Sequence, residues 1–365
     1  MRFFSTVWLV LVCFSCPGFA GDLVVETVAG ASVAENDGGA GPARDTNVGQ
    51  PFGVTVGPDG ALYVCDVQHH RILRLDLKSS ELTTAAGSGE KGYAGDGGPA
   101  TNAKLNEPYE VRFDNDGNMI FVEMRNHIVR RVDRKTHLIS TIAGTGQQGF
   151  SGDGGRATEA RLSQPHSIAL DRKGALYIAD IGNHRVRRVD PESGVVETIA
   201  GNSERRMPTD GSLARGNPMV GPRALFVEGD KLWIALREGH SVWRMGLGDG
   251  MLHHVAGTGK AGFSGDGGPA LEAKLNGPKG IAVDSGGNVV IADTENDAVR
   301  KIDTRTGLIS TVAGGKPAGT AKGSLGTKAG ERGGAEFNGP HGICVAPDGS
   351  IFVGDTLNHR VVRVH

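Results

Sequence analysis

Six residues stand directly after a recurring proline and differ in chemistry although their surroundings repeat: Phe52, Tyr109, His166, Arg223, Lys279 and His341. Glu110 and Arg112 follow closely in the second unit, where other units carry small or apolar residues apart from Thr55 and Phe226. Together they make two imidazoles, a phenol, a carboxylate and three bases. That mixture suits a polar or anionic ligand, or a metal ion held by His166 and His341, with zinc the metal considered. Repeated positions serve the fold, whereas positions that vary within a repeat are free to bind.

The elements that must position these residues follow from the repeat. Pro51, Pro108, Pro165, Pro222, Pro278 and Pro340 lie 57, 57, 57, 56 and 62 residues apart. Each leads into an alternating apolar stretch, an Asp-Gly or Gly-Asn turn, and a second stretch ending in an acid. Gly280–Asp284 with Val289–Asp293 repeats Ser167–Asp171 with Leu176–Asp180. Each unit holds four short strand signals and no helical period, which predicts an all-β fold, a six-bladed β-propeller of four-stranded blades. Offsets three and five after the proline are apolar in all six units, from Val54 and Val56 to Ile343 and Val345. One face of each inner strand is thereby committed to packing. The residue after the proline enters the inner strand, so the six variable residues ring one mouth of the central channel, with His166 and His341 on opposite blades.

The last unit stops at His365 after three strands, and Leu23–Gly30 nearly copies Val195–Gly201. The N-terminal strand is expected to complete the sixth blade, removing exposed edges. Residues 1–20 hold one charge, Arg2, an apolar run from Phe3 to Phe14, and Gly18-Phe19-Ala20 at the end. They read as a cleavable signal peptide cut after Ala20, leaving one propeller domain, 21–365, secreted or periplasmic. Cys16 lies near that cut, but Cys13-Phe14-Ser15 before it is unlike a lipoprotein signal.

Lys and Arg number 39 and Asp and Glu 41. Residues 1–20 contribute one of those bases and none of the acids, leaving 38 against 41 and a formal charge of −3. This balance gives no pull toward nucleic acid or an anionic membrane, and no membrane span is expected. Cys65 and Cys344 remain after processing; two buried free thiols are the favoured reading over a disulfide.

At the start of the third strand stand Asn183-His184-Arg185 and Asn358-His359-Arg360, with variants His69-His70-Arg71, Asn126-His127-Ile128, Gly239-His240-Ser241 and Asn296-Asp297-Ala298. A base follows four residues later each time, from Arg74 to Arg363. In this the chain resembles the NHL-repeat six-bladed propellers over essentially all of residues 22–365. Unit four departs most, with Leu236 in place of the acid, and unit five lacks the His. The repeated histidines read as structural, and Asp66/Arg71, Asp180/Arg185 and Asp355/Arg360 as pairs that fix the turn between strands two and three. Pro165-His166-Ser167-Ile168 and Pro340-His341-Gly342-Ile343 also resemble the zinc-ligand segments of the peptidyl-hydroxyglycine amidating lyase. That resemblance implies three histidines with a Tyr and an Arg; His166 and His341 match, and Tyr109 and Arg223 hold comparable mouth positions.

Two loop motifs are read as structural. Gly87–Gly92, Gly144–Gly149 and Gly257–Gly262 match a dinucleotide fingerprint, but no helix follows to receive a pyrophosphate. The Gly-Asp-Gly-Gly loops at Asp96, Asp153 and Asp266 carry one carboxylate each, few for calcium, and read as side-chain turns. No nucleophile elbow, zinc helix or kinase signature is present. The leading expectation is therefore a monomeric, non-catalytic binding propeller whose protein, peptide or glycan partner meets the channel face. The alternative is a channel-mouth enzyme of lyase or lactone-hydrolase type.

Overall fold

A computed structural model describes residues 23–30, 39–315 and 336–365. The leader expected at 1–20 and Cys13 and Cys16 lie outside the described residues. Six antiparallel sheets form the blades, with the four strands of blades two to five and the first four of blade one in chain order from the inner one outward. The inner strands are Pro51–Val56, Pro108–Phe113, Pro165–Leu170, Pro222–Glu228, Gly280–Val283 and Pro340–Val345. The expected closure is present: Val25–Ala29 pairs with Arg360–Val364 as the outer strand of blade six. Val24 and His365 exchange both backbone hydrogen bonds, at 2.8 and 3.0 Å. Blade one carries a fifth short strand, Gly41–Pro42, on Glu81–Leu82, which the four-strand count did not anticipate.

The core is six seams rather than one centre. Each apolar cluster joins facing sides of neighbouring blades; one binds Tyr177 and Val186 of blade three to Leu225, Ile234 and Trp243 of blade four. The sixth seam joins Phe352 and Val361 of blade six to Val54, Leu73 and Leu82 of blade one. Offset three after each proline is fully or almost fully buried, 0–3% exposed from Val54 to Ile343, and offset five sits toward the edge of the seam. Burial of one such side chain stabilises by about 1.5–3 kcal/mol, so each seam outweighs any single polar contact across it.

Histidine staples supplement the seams. The residue at the NHL histidine position adopts a left-handed conformation in all six blades, with φ of 50° at His70, 56° at His127, 53° at His184, 44° at His240, 51° at Asp297 and 53° at His359. This aims the side chain at the next blade. The backbone N–H before the next repeat proline donates to it: Glu107 to His70 Nδ1 at 3.3 Å, Gln164 to His127 at 3.1 Å, Gly221 to His184 at 3.1 Å and Gly277 to His240 at 3.1 Å. Asp297 does the same for Gly339 at 2.7 Å, which is why blade five manages without the His. His359 closes the circle by donating from Nδ1 to the Gly49 carbonyl at 2.5 Å.

Candidate functional site

The residues after the prolines meet at one mouth, as their common offset predicts. Phe52 is the hub on one side: its ring stacks on Tyr109 with centroids 4.6 Å apart and meets His341 edge-on at 4.1 Å. Tyr109 in turn meets His166 edge-on at 4.7 Å. The guanidinium of Arg223 reaches past blade three and lies over the Tyr109 ring, 5.3 Å from its centroid. Lys279 is ion-paired with Glu295 at 2.8 Å. His166 and His341 are separated by the Phe52–Tyr109 pair rather than brought together.

Glu110 and Arg112 pair with each other, and Arg112 donates to Thr55 Oγ1 at 2.9 Å. Glu110 fits because its counterpart in the inner strand of blade one is a glycine: a Cβ at Gly53 would lie 2.7 Å from the Tyr109 carbonyl and 3.1 Å from Glu110 Oε1. The thiols of Cys65 and Cys344 are unpaired, and burial raises both, Cys344 to about 12.

Burial sets the electrostatics of the mouth. It holds His166 and His341 well below the usual imidazole range, helped by Arg223 at His166 and by Lys279 and Arg223 at His341, so both rings are neutral at pH 7. Burial also lowers Arg223 to about 10 and raises Glu110 and Tyr109. His166 Nδ1 lies 2.5 Å from the Gln164 carbonyl and His341 Nδ1 2.8 Å from the Gly339 carbonyl. A carbonyl only accepts, so each Nδ1 carries the proton and each Nε2 presents a lone pair.

Sequence reasoning missed a second tier. Arg237, Glu238 and Glu295 leave the turns after the second strands and act on the mouth charges. They are visible as further non-repeating residues one or two places beyond the position that ends strand two, Leu236 in blade four and Asp293 in blade five. Among the described residues no three of His, Cys, Asp and Glu gather to hold a metal, so His166 and His341 are without a third ligand of that kind.

The loop aspartates hold arginines. Asp96, Asp153 and Asp266 bind the guanidinia of Arg130, Arg187 and Arg300, each of them 0% exposed, with closest contacts of 2.5, 2.7 and 2.8 Å. The aromatic residue three before each Asp lies against the same guanidinium: Tyr93 at 5.6 Å, Phe150 and Phe263 at 4.9 Å. The cation in these loops is a side chain. The same arginines correct one expected pair. Asp66–Arg71 and Asp355–Arg360 form, at 2.9 and 2.7 Å, but Asp180 takes Arg187, at 3.6 Å, together with Asn183. Arg185 lies over Phe150 at 3.8 Å instead. The reason is local: the place of Arg187 is filled by Leu73 in blade one and Val362 in blade six, which leaves those carboxylates to the nearer arginine. Blade four dispenses with charge, pairing buried Leu236 with buried Trp243.

The glycines of the dinucleotide-like loops have a packing role. Gly201, at the first-glycine position in the third linker, has φ +88°, and a Cβ there would lie 2.1 Å from the His184 carbonyl. Gly144 and Gly257 meet His127 and His240 in the same way.

The teneurin NHL domain model matches residues 144–215 and 253–329, and the NHL repeat model matches residues 337–363. NHL repeat-containing protein 2 of Gallus gallus is 28% identical over 345 residues, covering 85% of this chain and 46% of that protein. The chain thus spans under half the length of this relative. An auxiliary nutrient binding protein from Bacteroides thetaiotaomicron superposes with TM-score 0.68 at 17% identity, over 94% of this chain and 76% of that one. A virginiamycin B lyase from Staphylococcus aureus superposes with TM-score 0.52 at 14% identity, over 87% and 95%.

Proposed function

Because the chain is an NHL-repeat six-bladed β-propeller, we propose that it is a rigid binding scaffold, exported from the cytoplasm, that engages a ligand or partner at the channel mouth. One observation carries this reading. The polar residues that the repeat does not use converge there, while the repeated ones are absorbed in staples, clasps and turns. A protein, peptide or glycan partner fits a monomeric disc whose mouth is aromatic and cationic. The name of the nutrient binding protein to which the chain is similar supports binding as a use of this architecture.

Glycan and peptide arrays probed with the chain from residue 21 test it. Binding that is lost in Tyr109→Ala and His166→Ala with unchanged melting supports the mouth. Binding indifferent to both removes it.

A second reading has one specific support, the neutral imidazole of His166 with its Nε2 lone pair open, which is what a general base or a metal ligand requires. The virginiamycin B lyase to which the fold is similar is an enzyme built on such a scaffold. Elemental analysis of untagged protein for zinc, calcium, iron and manganese, alongside a His166→Ala/His341→Ala variant, separates the readings. Stoichiometric metal lost in the variant would favour the enzyme.

A further inference from the structure

Arg223 is 4% exposed, and among the described residues no hydrogen bond or ion pair engages its guanidinium. The face of Tyr109 lies against it, and the five N–H donors at its edge are left unspent. The carboxylates around it make their direct ion pairs elsewhere, Glu110 with Arg112, Glu295 with Lys279 at 2.8 Å and Glu238 with Arg237 at 3.6 Å, although Glu110 and Glu238 still act on Arg223 at longer range. A largely buried cation without a paired anion is costly for a fold to retain, and an anion bound at the mouth relieves that cost.

The histidines on either side are arranged for the opposite polarity. With Nδ1–H spent on the Gln164 and Gly339 carbonyls, the free group of each ring is the Nε2 acceptor, and no hydrogen bond among the described residues uses it. A bare oxyanion would satisfy Arg223 and leave both lone pairs facing negative charge. A metal ion on the lone pairs would face Arg223 and Lys279 with no free carboxylate to balance it. A molecule that offers an anion to the arginine and hydroxyl donors to the imidazoles satisfies all of them, and the Phe52–Tyr109 stack gives its C–H surface an apolar platform.

We propose that the mouth takes a hydroxylated carboxylic acid, its carboxylate on Arg223 and its hydroxyls donating to Nε2 of His166 and, where its carbon chain is long enough to pass the Phe52–Tyr109 pair, to Nε2 of His341. This rests on the mouth being the ligand site.

Isothermal titration calorimetry of the chain from residue 21 tests the proposal with gluconate and tartrate as probes and with hexanoate, glucose and inorganic phosphate as comparators. At least one hydroxy acid binds, the three comparators bind at least about tenfold more weakly, and Arg223→Gln loses at least about tenfold while its melting temperature without ligand holds or rises. Arg223→Lys, which keeps the charge and loses the planar fork, is the second variant and weakens binding in the same direction. No binding of either hydroxy acid at millimolar concentration, or phosphate binding as tightly as they do, overturns the assignment. Glucose binding that survives Arg223→Gln and is lost in His166→Ala overturns it while leaving the mouth as the ligand site. Binding indifferent to every mouth substitution overturns both.

Discussion

Arg187 and Asp153 stand 34 residues apart and meet at 2.7 Å, the guanidinium fully buried in blade three and the carboxylate in the linker that precedes it. The linker is thereby latched onto the blade it leads into. Replacing Arg187 with Leu leaves Asp180 buried without its cation and unlatches the loop, a loss of about 3–5 kcal/mol. Chemical denaturation measures it, and the double variant with Asp180→Asn recovers part of the loss. A single variant as stable as the parent would remove the latch from the account of stability.

The staples give a smaller effect that repeats from blade to blade. His127→Ala strands the Gln164 N–H at a blade junction and is expected to cost about 1–2 kcal/mol. His184→Ala and His240→Ala behave alike. If the three cost nothing in thermal unfolding, the histidines are not what joins the blades.

Closure predicts that deleting residues 22–30 lowers the melting temperature of the whole ring, since it exposes the Arg360–Val364 edge and opens the seam of Phe352 with Leu73. A truncated chain that melts like the full one refutes the closure.

Glu123 supplies a pH signature. Burial raises its carboxyl to about 7 even beside Arg130, above the value near 4.5 expected in the unfolded chain. The folded state then binds the extra proton between those values, so the contribution is full below pH 4.5 and is lost as pH rises through 7. Relative to the parent, Glu123→Gln gains stability from pH 5 to pH 8, by about 1.4 kcal/mol per pH unit at most. A difference that is flat with pH, or that runs the other way, sinks this.

Cys65, which is buried, and Cys344, which is partly so, make a null prediction with content. With both raised by burial, Cys65 and Cys344 stay unmodified by a thiol reagent at pH 8 and react together on unfolding. Labelling of native Cys344 would show that blades six and one part at rest, and labelling of Cys65 that blades one and two do.

The ring at the mouth was legible because it broke a repeat: Tyr109, His166 and Arg223 occupy one offset with three chemistries, and strand alternation carries that offset to one end of the channel. The reach of Arg223 across blade three to Tyr109 was not legible, because it depends on how closely the inner strands approach one another. The latch was missed for a different reason. An arginine in the middle of a strand reads as solvated, and its partner lies a blade linker away. A signal existed nonetheless, since Arg130, Arg187 and Arg300 occur in the units that follow the aromatic-x-Gly-Asp-Gly-Gly loops. Asp180–Arg185 failed as a pair because a sequence read one turn at a time cannot see Arg187 competing from the next inward-facing position.

The pairing of Val24 with His365 also decides how the disc can be held. Both strands lie on the outer side of blade six, so a tether joined before Leu23 or after His365 leaves from nearly one point, two to three strand spacings, about 10–14 Å, outward of the inner strands. A load on such a leash pulls along the rim and leaves the axis of the channel unobstructed. The mouth therefore keeps its full approach to solvent whichever end of the chain is anchored.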